Sequence, residues 1–259
     1  MAEAPETIEG WWVLHDVRRV DWAQWRRLSP AQREAIIGEA QAYFAHSDAI
    51  NGTGDGAFAL YQVITQKGDL ETLHFRPQAG MLFDIQNEMA KLQLNDFLQP
   101  AYAYFSIIEL SRYNDVSDDP LRNPALAARL HHEIPATAYN CFYPMNKRRG
   151  ERVNWYDTDV EERRALMRGH GMIGRKYADR VTQIVTGSQG LDDWEWGVTL
   201  FADDPLYFKK LIYEMRFDPA SSRYAEFGPF YIGRRMRVQQ LATFLALPRN
   251  QDGPQAQGL

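Results

Sequence analysis

Gly10-Trp11-Trp12-Val13-Leu14-His15-Asp16-Val17-Arg18-Arg19 reads as a β-strand from its aromatic and β-branched content, and it opens an order of elements that occurs twice in the chain. Behind it lies a helical stretch at 21–46, interrupted near Ser29-Pro30, where Ser29 caps a helix with Pro30 at its first position. Strands near 57–64 and 70–76, a helix near 79–97 and a strand near 101–112 complete the first half. The order then returns: strand 137–145, helix 159–178, strands 180–187 and 194–202, helix 204–216 and strand 227–236. A duplicated βαββαβ pattern predicts an α+β fold, two fused ferredoxin-like units forming a dimeric α+β barrel-like subunit with the helices outside. The expected organisation is an N-terminal tail at 1–8, a first unit at 9–113, a polar connector with a short helix at 114–134, a second unit at 135–247 and a flexible tail at 248–259.

A chain of 259 residues can supply two such units, each able to bury a core. Cys141 is the only cysteine, which rules out an internal disulfide and a cysteine-based zinc site. The net charge of −5 comes from 29 basic and 34 acidic residues interspersed, which argues against a nucleic-acid surface. Any anionic ligand therefore needs a local basic pocket. No apolar run approaches the roughly 18 residues of a membrane helix, and the acidic N-terminus lacks the pattern of a secretory leader, so no membrane partner and a cytoplasmic location are expected.

In the helical segment 163–178, Leu166, Met167, His170, Ile173, Gly174 and Tyr177 follow helical spacing and place the imidazole on the inward stripe. Gly169, Gly171 and Gly174 each cost up to about 1 kcal/mol against alanine in a helix interior, which suggests close approach of a flat, bulky group such as a haem-type macrocycle. The alternative is a core histidine bonded to a carbonyl.

On strand 137–145, alternation puts Tyr139, Cys141, Tyr143 and Met145 on one face, with Lys147 continuing it. If that face turns to the barrel interior, Tyr143 and Lys147 reach one space; the alternative is an aromatic core strand with a snorkelling lysine. Gln183 shares a face with Val181 and Val185, a polar residue at a position expected to be apolar. Arg129, Lys147, Arg216 and Ser221 together can bind carboxylates, at about 1.5–3 kcal/mol per charge-assisted bond.

The ordered set Tyr143-Pro144-Met145-Asn146-Lys147, His170-Gly171-Met172-Ile173-Gly174-Arg175, Gln183 and the 186–197 segment resembles the coproheme decarboxylases of the chlorite dismutase-like superfamily. The resemblance extends to Gly10–Asp16 and to Met215-Arg216-Phe217-Asp218. It implies a homopentamer with one iron porphyrin per subunit in the second half. It also implies a haem b-forming reaction in which iron coproporphyrin III is both substrate and redox centre, hydrogen peroxide is the oxidant, two propionates become vinyls and no other cofactor is needed.

By that resemblance His170 is the proximal iron ligand, Tyr143 forms the radical that takes a hydrogen atom from a propionate, and Lys147 assists propionate binding and the second decarboxylation. Arg129, Met145, Gln183, Arg216 and Ser221 are the further substrate-binding residues, with Arg175 steadying the helix and Tyr113 a weaker candidate. Gln183 stands where chlorite dismutases are expected to carry arginine, which favours the decarboxylase branch. Chlorite dismutase, general haem peroxidase and a non-catalytic haem carrier or sensor are the alternatives on this fold, and transient contact with the ferrochelatase that supplies coproheme is a further expectation. The residue bonding the other nitrogen of His170 is left open, with Glu214 near in sequence.

Overall fold

A computed structural model describes residues 4–111 and 123–248. Its elements are β1 (Thr7–Val20), α1 (Trp22–Trp25), α2 (Pro30–Asp48), β2 (Ala57–Val63), β3 (Leu70–Arg76), α3 (Ala79–Met89), β4 (Leu98–Ser111), α4 (Pro124–Leu130), β5 (Tyr139–Lys147), α5 (Val160–Arg175), β6 (Thr182–Gly187), β7 (Trp196–Ala202), α6 (Leu206–Met215), α7 (Pro219–Ser222), β8 (Ala225–Phe227), β9 (Tyr231–Met236) and α8 (Leu241–Leu245). Short 3-10 turns occupy Gln93–Phe97 and Val238–Gln240.

Within each repeat the last strand lies beside the first. The orders are β4-β1-β3-β2 and β9-β5-β7-β6, with every pairing antiparallel. This is the ferredoxin-like arrangement. The two sheets then join along both free edges, β2 to β9 and β4 to β6, so the strands close into a barrel and β8 extends alongside the end of β5. Closure leaves the repeats no open sheet edge along these seams. The α+β barrel expected from the duplicated pattern is the observed fold.

Alternation along each strand divides side chains between the lumen and the outer faces. Val13, Ala59, Leu73, Phe75, Ile108, Ile184 and Phe201 fill one part of the lumen, and Val17, Tyr104, Phe142 and Tyr231 another. Outside the first repeat, Ile36, Ala40 and Phe44 of α2 cover Phe58, Leu60 and Leu70. Outside the second, Phe208, Leu211 and Met215 lie over Cys141, Tyr143, Val198 and Leu200. The face carrying Tyr139, Cys141, Tyr143 and Met145 thus turns outward to the helices and not to the barrel interior. Asn140 and Phe142 take the interior, where Phe142 stacks on His15 with ring centroids 4.0 Å apart. An eight-stranded lumen is just wide enough to be filled by side chains.

Three buried polar contacts bridge the repeats through this lumen: His15 Nε2 with Thr199 Oγ1 at 2.9 Å, Asn140 Nδ2 donating to Glu71 Oε2 at 2.9 Å, and the Tyr104 hydroxyl with Ser188 Oγ.

Boundaries shift for local reasons. β1 begins at Thr7, inside the stretch expected to be a tail. Ser29 caps α2 as expected, within a reciprocal capping box with Gln32. The helix expected near 79–97 ends at Met89, because Leu92 takes an extended backbone before the 3-10 turn. β4 starts early and runs through Pro100, which a sheet tolerates at an irregularity, and the β1–β4 register slips between Val17 and Arg18. The strand expected at 227–236 is divided into β8 and β9, where a Cβ on Gly228 would meet Pro144 Cγ at 2.7 Å. Tyr113, residues 114–122 of the connector and the tail beyond Pro248 lie outside the described residues.

Lumen packing is testable by one substitution. A Cβ on Gly197 would lie 2.5 Å from Tyr104 Cε1 and 2.8 Å from Thr186 Oγ1, so Gly197→Ala is expected to destabilise by about 1–3 kcal/mol. Gly38→Ala, on α2 with nothing within 4 Å, is expected to stabilise by up to about 1 kcal/mol. Urea denaturation separates the two; a neutral Gly197→Ala would contradict the lumen packing.

Candidate functional site

α5 is built as a helix at both ends. Asp159 caps it by accepting from the Glu161 amide, Glu161 and Glu162 stand in the first turn and Arg175 in the last, complementing the helix dipole. The stripe read from spacing faces the sheet, yet Leu166, Met167, His170, Ile173, Gly174 and Tyr177 are all only half-buried, and Arg163 is the one buried residue of the helix.

The opposing wall follows from strand register. Tyr143 pairs with Val198 and Val198 with Val185, while Cys141 pairs with Leu200 and Leu200 with Gln183. Tyr143 and Gln183 therefore sit in adjacent rows of one outward face. Val185, on the same face, is 41% exposed. The C-terminal end of α5 is fastened down: a Cβ on Gly174 would lie 3.1 Å from Gln183 Nε2, and Glu214 of α6 binds Lys176 and, at 3.0 Å, the Tyr177 hydroxyl. Around His170 the helix leaves room instead. A Cβ on Gly171 would meet nothing within 4 Å, and one on Gly169 only Asp218 Oδ1 at 4.0 Å. Only Gly174 of the three glycines is crowded by the protein itself, and by an amide side chain.

His170 Nδ1 lies 2.7 Å from Asp218 Oδ2. Asp218 is buried at the start of α7, where Ser221 Oγ reaches the same oxygen at 3.5 Å. Burial pulls the His170 pKa below its ordinary value; the Asp218 hydrogen bond and charge act against that, and Lys147 adds to it. With Nδ1 engaged by the carboxylate, Nε2 is the ring nitrogen that a ligand would take. This is the arrangement that orients metal-binding histidines. Glu214, the neighbour in sequence, is engaged elsewhere.

Lys147, at the end of β5, is buried, donates to the Ala220 carbonyl at 3.0 Å and lies 4.5 Å over the Trp155 ring. Burial pulls its pKa down to about 8 against the opposing charge of Asp218. Tyr143 stacks on Phe230 at 4.5 Å and leans on Phe227, which also meets the Arg216 guanidinium at 3.7 Å. Burial pushes the phenol pKa up, and the Arg216 charge works weakly against it. Met145 is half-buried beside this layer.

The structure thus brings together His170, Lys147 and Ser221 around Asp218, and Tyr143, Met145 and Arg216 around Phe227, with Gln183 on the adjoining strand. It does not join Arg129 to them: that residue is exposed on α4, a helix packed against β1 and β4. Arg175 is exposed at the end of α5. Asp218 stands within the Met215–Asp218 stretch of the resemblance but has no role assigned from the sequence, and Trp155 is not singled out there. Asp218 lies two residues beyond Arg216 and caps nothing with its side chain, a weak local signal; Trp155 left none. Among the described residues no helix is long and apolar enough to cross a membrane.

Comparison with known proteins adds a family. The chlorite dismutase family model matches residues 33–236. The chain is similar to a heme-binding protein from Thermus thermophilus, at 41% identity over 95% of this chain and 99% of that one, with a TM-score of 0.91. It shares its fold with a chlorite dismutase variant from Candidatus Nitrospira defluvii, at 17% identity, 92% and 96% coverage and a TM-score of 0.74. A putative chlorite dismutase, TA0507, matches at 17% identity, 92% and 100% coverage and a TM-score of 0.73.

The electrostatics of the histidine pair are directly measurable. Asp218 raises the His170 pKa against burial, so Asp218→Asn is expected to lower it further. An NMR titration of the His170 ring in both proteins reads the change; an unmoved or raised value would contradict the pairing.

Proposed function

The chain belongs to the chlorite dismutase family, and on that premise we propose that it binds iron coproporphyrin III between α5 and the β5–β6–β7 wall and, with hydrogen peroxide, converts two propionates to vinyls to form haem b. The observation that carries this reading is the His170–Asp218 pair: an imidazole oriented by a buried carboxylate, on a half-buried helix face beside an apolar wall. His170 Nε2 is the atom that would hold the iron, and the half-buried stripe of α5 with Val185 opposite fits a flat apolar disc. Lys147 and Arg216 supply positive charge for the propionates, with Ser221 as a hydroxyl donor. Arg129 is proposed for the same role from the resemblance alone. Gln183, neutral where arginine would favour chlorite, supports decarboxylation over chlorite chemistry.

The bound iron porphyrin, with peroxide, would supply the oxidising equivalents. Tyr143 does the local work. Its buried phenol holds its proton at neutral pH, so it would lose electron and proton together, and the resulting radical would take a hydrogen atom from a propionate β-carbon. The carboxylate then leaves as carbon dioxide with one further electron passing to the oxidant. For each propionate, one peroxide and one proton yield one vinyl, one carbon dioxide and two waters. Lys147, with its pKa near 8, pairs with a propionate when charged and can deliver that proton from Nζ.

A second reading, haem binding without turnover, takes its support from the Thermus relative, which is described as heme-binding. Exposed Ile64, Phe83, Leu206, Tyr213 and Phe217 support the further proposal of a homopentamer, in which such surface is covered by neighbouring subunits.

Coproheme is added to the protein, peroxide is titrated in and porphyrin mass is followed. Successive conversion of one and then two propionates to vinyls is expected, and unchanged porphyrin would favour the carrier. Tyr143→Phe is expected to bind coproheme as before while decarboxylation falls to background; normal turnover in that variant would refute the tyrosine's role. Since Lys147 is charged only below about pH 8, coproheme affinity is expected to fall as pH rises through that value. In Lys147→Gln the fall should be absent, and an unchanged profile would remove Lys147 from propionate binding.

A further inference from the structure

The barrel lumen contains more buried polar atoms than its own contacts satisfy. Among the described residues, Glu71 Oε1, Asn140 Oδ1, the Tyr61 hydroxyl, His15 Nδ1, Ser106 Oγ and the Tyr102 hydroxyl are buried without a hydrogen-bond partner. All six residues project from the lumen side of their strands. A buried polar atom left unpaired costs about 1–3 kcal/mol, and such atoms cluster in native proteins where ordered water satisfies them.

Three of them belong to residues linked across the strands. Tyr61 and Glu71 are register partners across β2 and β3. Asn140 Nδ2 already donates to Glu71 Oε2 at 2.9 Å, which leaves Oε1 and the Asn140 Oδ1 facing inward. Gly233, paired with Asn140, lets the Asn140 side chain lie over its backbone: a Cβ there would collide with Asn140 Oδ1 and lie 2.7 Å from Tyr61 Cβ. Glu71 Oε1, Asn140 Oδ1 and the Tyr61 hydroxyl thus belong to paired or hydrogen-bonded residues, and each lacks a partner.

We propose that the barrel lumen is a hydrated seam between the two repeats, in which a buried water molecule hydrogen-bonds Glu71 Oε1, Asn140 Oδ1 and the Tyr61 hydroxyl. This site lies on the lumen face of β5, opposite His170, and is independent of the function proposed above. Water rather than a cation fits because the Glu71 carboxyl is largely uncharged below neutral pH: burial pushes it up to about 7, with only the Asn140 bond acting against it. The surrounding titratable groups are neutral too. His15 on β1 is pulled down to about 3, while Tyr61 on β2, Tyr102 and Tyr104 on β4, Cys141 on β5 and Tyr231 on β9 are pushed up. The nearby cation, Arg235 of β9, acts on the Tyr61 phenol and donates to the Pro135 carbonyl.

The sign follows. An acid whose folded pKa lies above its unfolded one contributes most stability when protonated, and the contribution is lost as pH climbs from the ordinary carboxylate range through about 7.

A high-resolution crystal structure of the full chain should show a water within hydrogen-bond distance of Glu71 Oε1, Asn140 Oδ1 and the Tyr61 hydroxyl; a dry lumen or a metal ion there overturns the proposal. The wild-type denaturation midpoint should fall between about pH 5 and about pH 8 more steeply than that of Glu71→Gln, which keeps the shape and cannot ionise. Equal slopes overturn the neutral carboxyl. If Glu71→Gln does not fold, the infrared protonated-carboxyl band of the wild type decides: it should be present in mild acid and vanish as pH passes neutrality, and a band absent throughout overturns the assignment.

Discussion

The register of β5 governs the whole molecule. Its even residues, Asn140 and Phe142, enter the lumen, where they meet Glu71 and His15 of the other repeat; its odd residues, Tyr143, Met145 and Lys147, form the outer wall below α5. β5 also pairs on both sides, with β7 on one edge and with β9 and β8 in succession on the other. A slip of one residue would exchange the two faces, placing a lysine and a tyrosine in the lumen and stripping the site of both. Barrel closure and the candidate site are therefore specified by the same alternation.

Around the site the charges are few and tightly coupled. Asp218 is the hub: it holds the His170 ring, touches Ser221 and offsets part of the burial penalty on Lys147. Because Asp218 and Lys147 are buried, their interaction is screened less than a surface pair and holds the lysine pKa higher than burial alone would. Phe227 and Phe230 pack on the buried Tyr143 ring, and Arg216 lies over the Phe227 ring. Proton-holding and cation-bearing groups thus lie close together without neutralising one another.

The lumen shows the opposite use of polarity. His15, Glu71, Asn140, Tyr104 and Ser188 each bond across the repeat boundary, so the polar groups inside the barrel tie one half to the other while the aromatic rings fill the space. A purely apolar lumen would bury more hydrophobic area, whereas directional bonds fix which strands meet.

The amino-acid sequence by itself determined the repeated βαββαβ order, the helical stripe through His170 and the shared face of Tyr143 and Lys147, because periodicities of two and about three and a half residues are local properties of the chain. The family resemblance was legible in the same way, from short ordered motifs. Only the tertiary structure decided that the Tyr143 face looks outward to the helices, since alternation separates two faces without saying which is inside. It also decided that Asp218 rather than Glu214 holds His170, that Trp155 lies under Lys147 and that Glu71 meets Asn140, contacts made between elements far apart in sequence and fixed by the closing of the barrel.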